Sequence, residues 1–221
     1  MVEVSTSLLS IKKENSIKTI YDLEVSGTNY FHIDVMDGKF VKNNTVEIMR
    51  EYTEYIKQVA NTPIDVHLMV EDVETYIKTY IDMGVNSITF HIESCKNKEE
   101  VLKLISYIKD NNTKAGITLN PQTSIEEIYE YIPYIHSVLI MSVTPGEGGQ
   151  QFIPDTLEKI EKLNKFINEN NYDIDIAVDG GINEITAKDV IDAGANILVV
   201  GSYITNSNDY KTAIENLKNK N

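Results

Sequence analysis

The chain has one cysteine, Cys95, so it cannot form an intrachain disulfide, and a lone thiol of this kind reads as a small buried hydrophobe rather than a nucleophile. It has one arginine, Arg50, inside the second helical segment, so no guanidinium fork is available to grip a phosphate or a carboxylate at the strand ends. Basic residues are in deficit: 20 Lys and Arg stand against 34 Asp and Glu, a formal net charge of −14. That field repels nucleic acid and anionic membrane and excludes both as partners. No uninterrupted apolar run approaches the roughly 20 residues of a membrane span, and the opening MVEVSTSLLSIKKEN lacks a long apolar targeting core. The chain therefore reads as a cytoplasmic protein, and self-association into a homo-oligomer is compatible with these features.

What is present is an ordinary globular composition, 42% hydrophobic and 24% charged over 221 residues, enough to bury a full core. Short β-branched runs alternate with longer amphipathic ones from end to end. Strands are expected at Val4–Leu9, Tyr30–Met36, Ile64–Met69, Ser87–Ile92, Lys114–Leu119, Ser137–Ser142, Ile174–Val178 and Asn196–Gly201. Helix starts are expected at Thr123 to Glu126, which has the pattern of a capping box, and at Asn183 as an N-cap. Apolar residues recur at helical spacing over Thr156–Asn168, while Gly84 and Gly194 read as C-caps. No linker or low-complexity tract interrupts the alternation. Eight such units point to an α/β fold, a single (β/α)8 TIM barrel spanning residues 1–221. Chemistry is then expected at the carboxyl ends of the strands.

The stretch FHIDVMDGKFVKN, residues 31–43, carries the strongest signal. Alternation puts His32, Asp34 and Met36 on one face and Phe31, Ile33 and Val35 on the other. In DVHLM the same period groups Asp65, His67 and Met69, and Asp179 closes an apolar run before Gly180-Gly181. His32, Asp34, His67 and Asp179 are thus candidates to converge. Each would cost several kcal/mol to bury alone, and a shared cation removes that cost. Neutral imidazole with carboxylate suits one divalent ion such as Zn, Mn, Fe or Co. Asp65, deeper than His67, reads as an acceptor for a histidine N–H. His136 falls at the start of strand six, on the opposite face. Met36, Met69 and Met141 are expected to form an apolar collar beneath the site. Glycine turns at 145–150 (PGEGGQ), Gly180-Gly181 and Gly201-Ser202 offer backbone N–H groups and the Ser202 hydroxyl to an anion such as a phosphate.

Taken together, TSLLS, FHIDVMDGKFVKN, DVHLMV, ITLNPQTS, MSVTPGEGGQQFIP, AVDGGIN and VVGSYI stand in the order and spacing of the ribulose-phosphate 3-epimerase family, which the chain resembles over essentially its whole length. The resemblance implies a (β/α)8 barrel of pentose metabolism that uses one divalent metal to interconvert ribulose 5-phosphate and xylulose 5-phosphate, a small sugar phosphate being its partner. It implies His32, Asp34, His67 and Asp179 as metal ligands, with Asp34 and Asp179 as the acid/base pair. Ser7 and His67 would contact the sugar, and Gly146, Glu147, Gly148, Gly149, Gly180, Gly181, Gly201 and Ser202 would surround the substrate and its phosphate. Inverting C3 beside a ketone needs a proton removed from one face and one returned to the other, hence two bases, and a cation stabilises the enediolate between them.

Three positions depart from the family pattern. Lys39 and Lys42 stand where His and Pro are common, and Glu147 replaces the usual Phe of a PGFGGQ loop. Loop six is therefore expected to close differently. The alternatives are an allulose-6-phosphate 3-epimerase using the same residues and a non-catalytic sugar-phosphate-binding barrel, which loss of any ligand would have favoured.

Overall fold

The alternation of β-branched and amphipathic segments becomes a closed parallel barrel in the computed structural model, which describes residues 2–219. Its strands are β1 (Glu3–Ser7), β2 (Tyr30–Met36), β3 (Ile64–Met69), β4 (Ser87–His91), β5 (Lys114–Leu119), β6 (Ser137–Met141), β7 (Asp175–Asp179) and β8 (Ile197–Val200). They pair in sequence order and β8 returns to β1. Helices α1 (Ser16–Val25), α2 (Val46–Val59), α3 (Val73–Asp82), α4 (Lys98–Asp110), α5 (Thr156–Asn170), α6 (Glu184–Ala193), α7 (Ser202–Thr205) and α8 (Tyr210–Lys218) surround it. Every expected strand is found: β2, β3 and β5 have the expected bounds, and the ends of the others move by one or two residues. No helix among the described residues is long and apolar enough to cross a membrane.

The crossover after β5 differs from expectation. Ile125–Tyr134 is a 3-10 helix, Ser124 is its N-cap, and no side-chain bond caps the backbone there. The Ser124 hydroxyl turns to the Glu126 carboxylate and Thr123 to Glu93, so the expected capping box does not form. Pro133 sits inside the segment, where it lacks an N–H and crowds the preceding turn of an α-helix. At α6 the expectation holds: Asn183 caps the N-terminus in a box with Thr186, and Gly194 closes the C-terminus.

The sheet sorts its side chains by face. Outward residues such as Phe31, Ile33, Val35, Val66, Leu68, Ile88, Phe90 and Ile117 join the buried apolar layer beneath the helices. Inside the barrel, β6 to β8 contribute a second apolar cluster of Leu139, Met141, Val143, Ala177 and Val199. The inner face of β1 to β4 instead carries Ser5, Ser7, His32, Asp34, His67, Thr89 and His91, all buried. One half of the lumen is hydrocarbon and the other is polar.

Gly116 on β5 lets the polar half close. A methyl there would lie 2.3 Å from Thr89 Oγ1 and 2.8 Å from Ser137 Oγ. Gly116→Ala is expected to destabilise the fold by about 1–3 kcal/mol through overpacking, as a lower denaturation midpoint in urea; an unchanged midpoint would show that the lumen is looser than these contacts require.

Candidate active site and metal centre

Strand register assembles the cluster. β2 and β3 pair His32 with Asp65, Asp34 with His67 and Met36 with Met69, so the inward set of one strand lies directly beside that of the other. Asp179 ends β7 opposite Met141. The Ser142 hydroxyl, 2.9 Å from the Asp179 carbonyl and 2.7 Å from that of Gly180, anchors this strand end. Thr45 ties the end of β2 in the same way, donating to the Asp34 carbonyl at 2.6 Å and accepting the Met36 N–H at 2.9 Å.

Four donor atoms of His32, Asp34, His67 and Asp179 come to lie within 4.8 Å of one another. His32 Nε2 is 3.4 Å from Asp34 Oδ1 and 3.9 Å from Asp179 Oδ2. His67 Nδ1 is 3.5 Å from Asp34 Oδ1 and 3.8 Å from Asp179 Oδ2. These two ring nitrogens are fully buried and have no hydrogen-bond partner, a costly arrangement unless a ligand satisfies them. A cation about 2.1 Å from four tetrahedral donors spaces them about 3.4 Å apart, close to the separations seen. The cluster fits a divalent ion and could hold one.

The remaining nitrogens and oxygens are held from outside. His32 Nδ1 lies 2.8 Å from Asp65 Oδ2, whose other oxygen accepts from the Ser87 hydroxyl at 2.7 Å. Asp65 is thus an acceptor for a histidine N–H, as expected, and the histidine is His32. The Ser7 hydroxyl donates to Asp34 Oδ2 at 2.7 Å, leaving Oδ1 for the cluster.

Burial and mutual charge push the two carboxylates apart. For Asp34 burial alone would raise the pKa, but the adjoining His32 and His67 rings outweigh it and hold the carboxyl well below the usual range. For Asp179 burial and then the Asp34 charge both act upward, so its pKa is raised. His32 loses by burial but is lifted well above the ordinary histidine value by Asp34 and then Asp65. Burial brings His67 down to about 4, with the neighbouring His91 and His32 rings acting against any gain from Asp34.

Above the cluster opens a cavity of about 460 Å³ lined by Ser7, Asp34, Asp179, the loop from Pro145 to Phe152, Gly180, Gly181, Gly201 and Ser202. Gly146, Glu147, Gly148 and Gly149 all reach it, and Glu147 is exposed. Two glycines are required by contact: a Cβ at Gly180 (φ +123°) would lie 2.5 Å from Val143, and one at Gly181 (φ +65°) 2.5 Å from the Phe152 backbone nitrogen. Asn43 donates to the Gly146 carbonyl at 2.7 Å and joins the β2 and β6 loops over the mouth.

Two expectations need correction. Met36, Met69 and Met141 line the cavity, but Met36 and Met69 follow Asp34 and His67 by two residues on strands that run toward the mouth. They form a collar above the cluster, not beneath it. His67 was expected to touch the sugar, yet it has no exposed surface and does not line the cavity. Its ring is spent on the cluster and on His91, a neighbour to which the sequence assigns no role, with Nε2 to Nε2 at 3.0 Å. His91 in turn faces Glu93. The signal available was the inward alternation of Ser87, Thr89 and His91 at the same strand end. Cys95 lies away from the cavity and burial pushes its thiol up to about 12. His136 stands half-buried at the amino end of β6, 3.8 Å from Asp175.

A parallel barrel with an ionisable cluster and glycine turns at the carboxyl ends of its strands is the anatomy of a (β/α)8-barrel enzyme, here with a candidate metal centre. The chain belongs to the ribulose-phosphate 3 epimerase family, whose model matches residues 3–205, and with it is an isomerase acting on a carbohydrate. A ribulose-phosphate 3-epimerase of Methanocaldococcus jannaschii is 39% identical over 218 residues, covering 99% of this chain and 90% of the relative. One of Bacillus subtilis is 38% identical, covering 99% of each. Among solved structures, 3-hexulose-6-phosphate synthase from Salmonella typhimurium superposes with a TM-score of 0.73 at 16% identity, over 99% of this chain and 98% of that one, which is a likeness of fold alone.

Glu93 supplies a pH test of this arrangement. Burial raises its carboxyl, but hydrogen bonds from His91, Thr123 and Asn120 prevail and bring it from the ordinary 4.5 down to about 2. The stability it contributes is fully present above the ordinary value and is lost as the pH falls toward about 2. Urea unfolding of wild type and Glu93→Gln should therefore differ most near neutrality and converge in acid; a gap independent of pH would refute the assignment.

Proposed function

We propose that the chain is a metal-dependent epimerase that inverts C3 of a ketopentose phosphate, interconverting D-ribulose 5-phosphate and D-xylulose 5-phosphate by two-base proton transfer. The observation that carries this reading is the convergence of His32, Asp34, His67 and Asp179 on one point at the floor of the cavity, with two ring nitrogens lacking any other partner. The relatives named for this reaction support the choice of substrate.

His32, Asp34, His67 and Asp179 would hold one divalent ion, with Zn, Mn, Fe and Co all suited to the donor set. When bound, that ion supplies positive charge beside the oxygens on which negative charge develops as C3 loses its proton. The proton itself is handled by the carboxylates. Ionisable groups whose surroundings drive their pKa values in opposite directions are suited to opposite acid and base roles. Asp34, whose carboxyl is held low by the adjoining rings, takes the proton in one direction, and Asp179, whose carboxyl is pushed up by burial and by the Asp34 charge, would carry the proton returned to the other face. Reversal of the reaction exchanges the roles. Ser7 keeps Asp34 oriented through Oδ2, and Asp65 does the same for His32.

Around the reacting centre Met36, Met69 and Met141 form an apolar wall that limits water. The phosphate is assigned to Gly146, Gly148, Gly149, Gly180, Gly181, Gly201 and Ser202, whose turns let backbone N–H groups approach closely in a chain too acidic to attract anions by its overall field. Glu147 is exposed, so water screens its charge from that phosphate.

Stripping the protein and reloading it with each of the four ions, then assaying ribulose 5-phosphate beside allulose 6-phosphate, tests the reading. Turnover of the pentose phosphate is expected to exceed that of the hexose phosphate, to vanish on metal removal, and to fall by at least about 10³-fold in Asp34→Asn and Asp179→Asn. Absence of turnover with every ion, or appreciable activity in metal-loaded Asp179→Asn, would overturn it.

A further inference from the structure

A run of hydrogen-bonding side chains leads from the buried cluster through β4 toward the surface. His91 has no exposed surface. Its ring stacks on that of His67 with centroids 5.1 Å apart, and Phe40 from the β2 loop packs against it at 4.8 Å. His91 Nε2 lies 3.0 Å from His67 Nε2, and His91 Nδ1 lies 3.3 Å from Glu93 Oε2. Glu93 Oε1 accepts the Asn120 N–H at 2.7 Å and the Thr123 hydroxyl, both in the loop after β5. Lys159 on α5 clamps that loop, donating to the carbonyls of Asn120, Pro121 and Thr123 at 3.1, 2.9 and 2.7 Å.

The direction of this run is dictated at its far end. An ionised carboxylate has no proton to give, so Glu93 accepts from His91 as it accepts from the loop. A neutral His91 then carries its proton on Nδ1 and offers a lone pair at Nε2. The short contact between the two Nε2 atoms needs one proton, and it must belong to His67. That leaves His67 Nδ1 bare, and this is the atom that faces Asp34 and Asp179 without a partner. His32 is oriented in the opposite sense: Asp65 accepts from its Nδ1, and Nε2 is the atom turned to the cluster without a partner.

We infer that Glu93, acting through His91, is a positioning residue that holds His67 in the tautomer whose Nδ1 lone pair is aimed at the shared cation. The inference rests on the reading of the cluster as a metal centre. It gives the β5 loop, which supplies no residue to the cluster, control over the protonation of one of its members.

Glu93→Gln is close to isosteric and inverts the polarity. Its amide oxygen must face the fixed Asn120 N–H, which turns the amide N–H toward His91. The proton of His91 is then driven to Nε2 and that of His67 to Nδ1, against the cation. Nitrogen-15 NMR of the histidine rings in metal-free protein is expected to show His67 protonated on Nε2 in the wild type and shifted toward Nδ1 in the variant. Chelator competition with Mn or Zn is expected to show binding about 10–100-fold weaker in the variant, with kcat recovering at saturating metal, a recovery that general damage to the fold would not allow. A wild-type His67 protonated on Nδ1 overturns the inference, and that measurement stands even where the variant fails to fold. So does a folded variant with wild-type ring shifts and metal affinity. A wild-type protein that binds none of Zn, Mn, Fe and Co overturns the metal-centre reading beneath it, and is told apart from failure of the inference alone, in which the wild type binds metal and the variant binds it equally well.

Discussion

Two imidazole nitrogens without partners, His32 Nε2 and His67 Nδ1, impose the main constraint on this molecule. Each is fully buried, beside carboxylates too far away for good hydrogen bonds. A fold bears that cost where a ligand relieves it. The surrounding order follows from it. Asp65, itself held by Ser87, occupies the other nitrogen of His32; His91, itself held by Glu93, occupies that of His67; and Ser7 occupies the spare oxygen of Asp34. Each of these bonds leaves one donor atom of the cluster free in a single direction.

The barrel makes this possible by dividing its lumen. Leu139, Met141, Ala177 and Val199 fill the side built by β6 to β8 with hydrocarbon, while β1 to β4 carry the polar set. Asp179 stands where the two halves meet, at the end of β7 and with 19% of its side-chain surface open. Asp34 lies within the polar half with 5% open. The His32 and His67 rings hold Asp34 low while burial and the Asp34 charge push Asp179 up, so two like residues acquire unlike acidities.

Much of this was legible in the chain. Alternation in FHIDVM and DVHLM separates the inward from the outward residues, and parallel register preserves that separation from strand to strand, so His32, Asp34 and His67 follow from period two, while Asp179 follows from its place at the end of an apolar run before Gly180-Gly181. The 3-10 segment after β5 was not legible, because Thr123, Ser124 and Glu126 fit a capping box by spacing while their side chains have stronger uses, Thr123 on Glu93 and Ser124 on Glu126. The methionines of the collar are legible by residue but their side of the cluster is not, since a sequence shows which face a side chain takes and not its height relative to a site built from several strands.

The sequence by itself determined the eightfold alternation, the face on which each strand residue lies and the deficit of cationic side chains. These are properties of local period and composition. Only the tertiary structure decided which nitrogen of each histidine points at the cluster, that His91 and Glu93 stand behind His67, and that Asp34 and Asp179 differ in acidity. Those depend on distances of 3 to 4 Å between residues far apart in the chain, which closure of the barrel creates and no local pattern encodes.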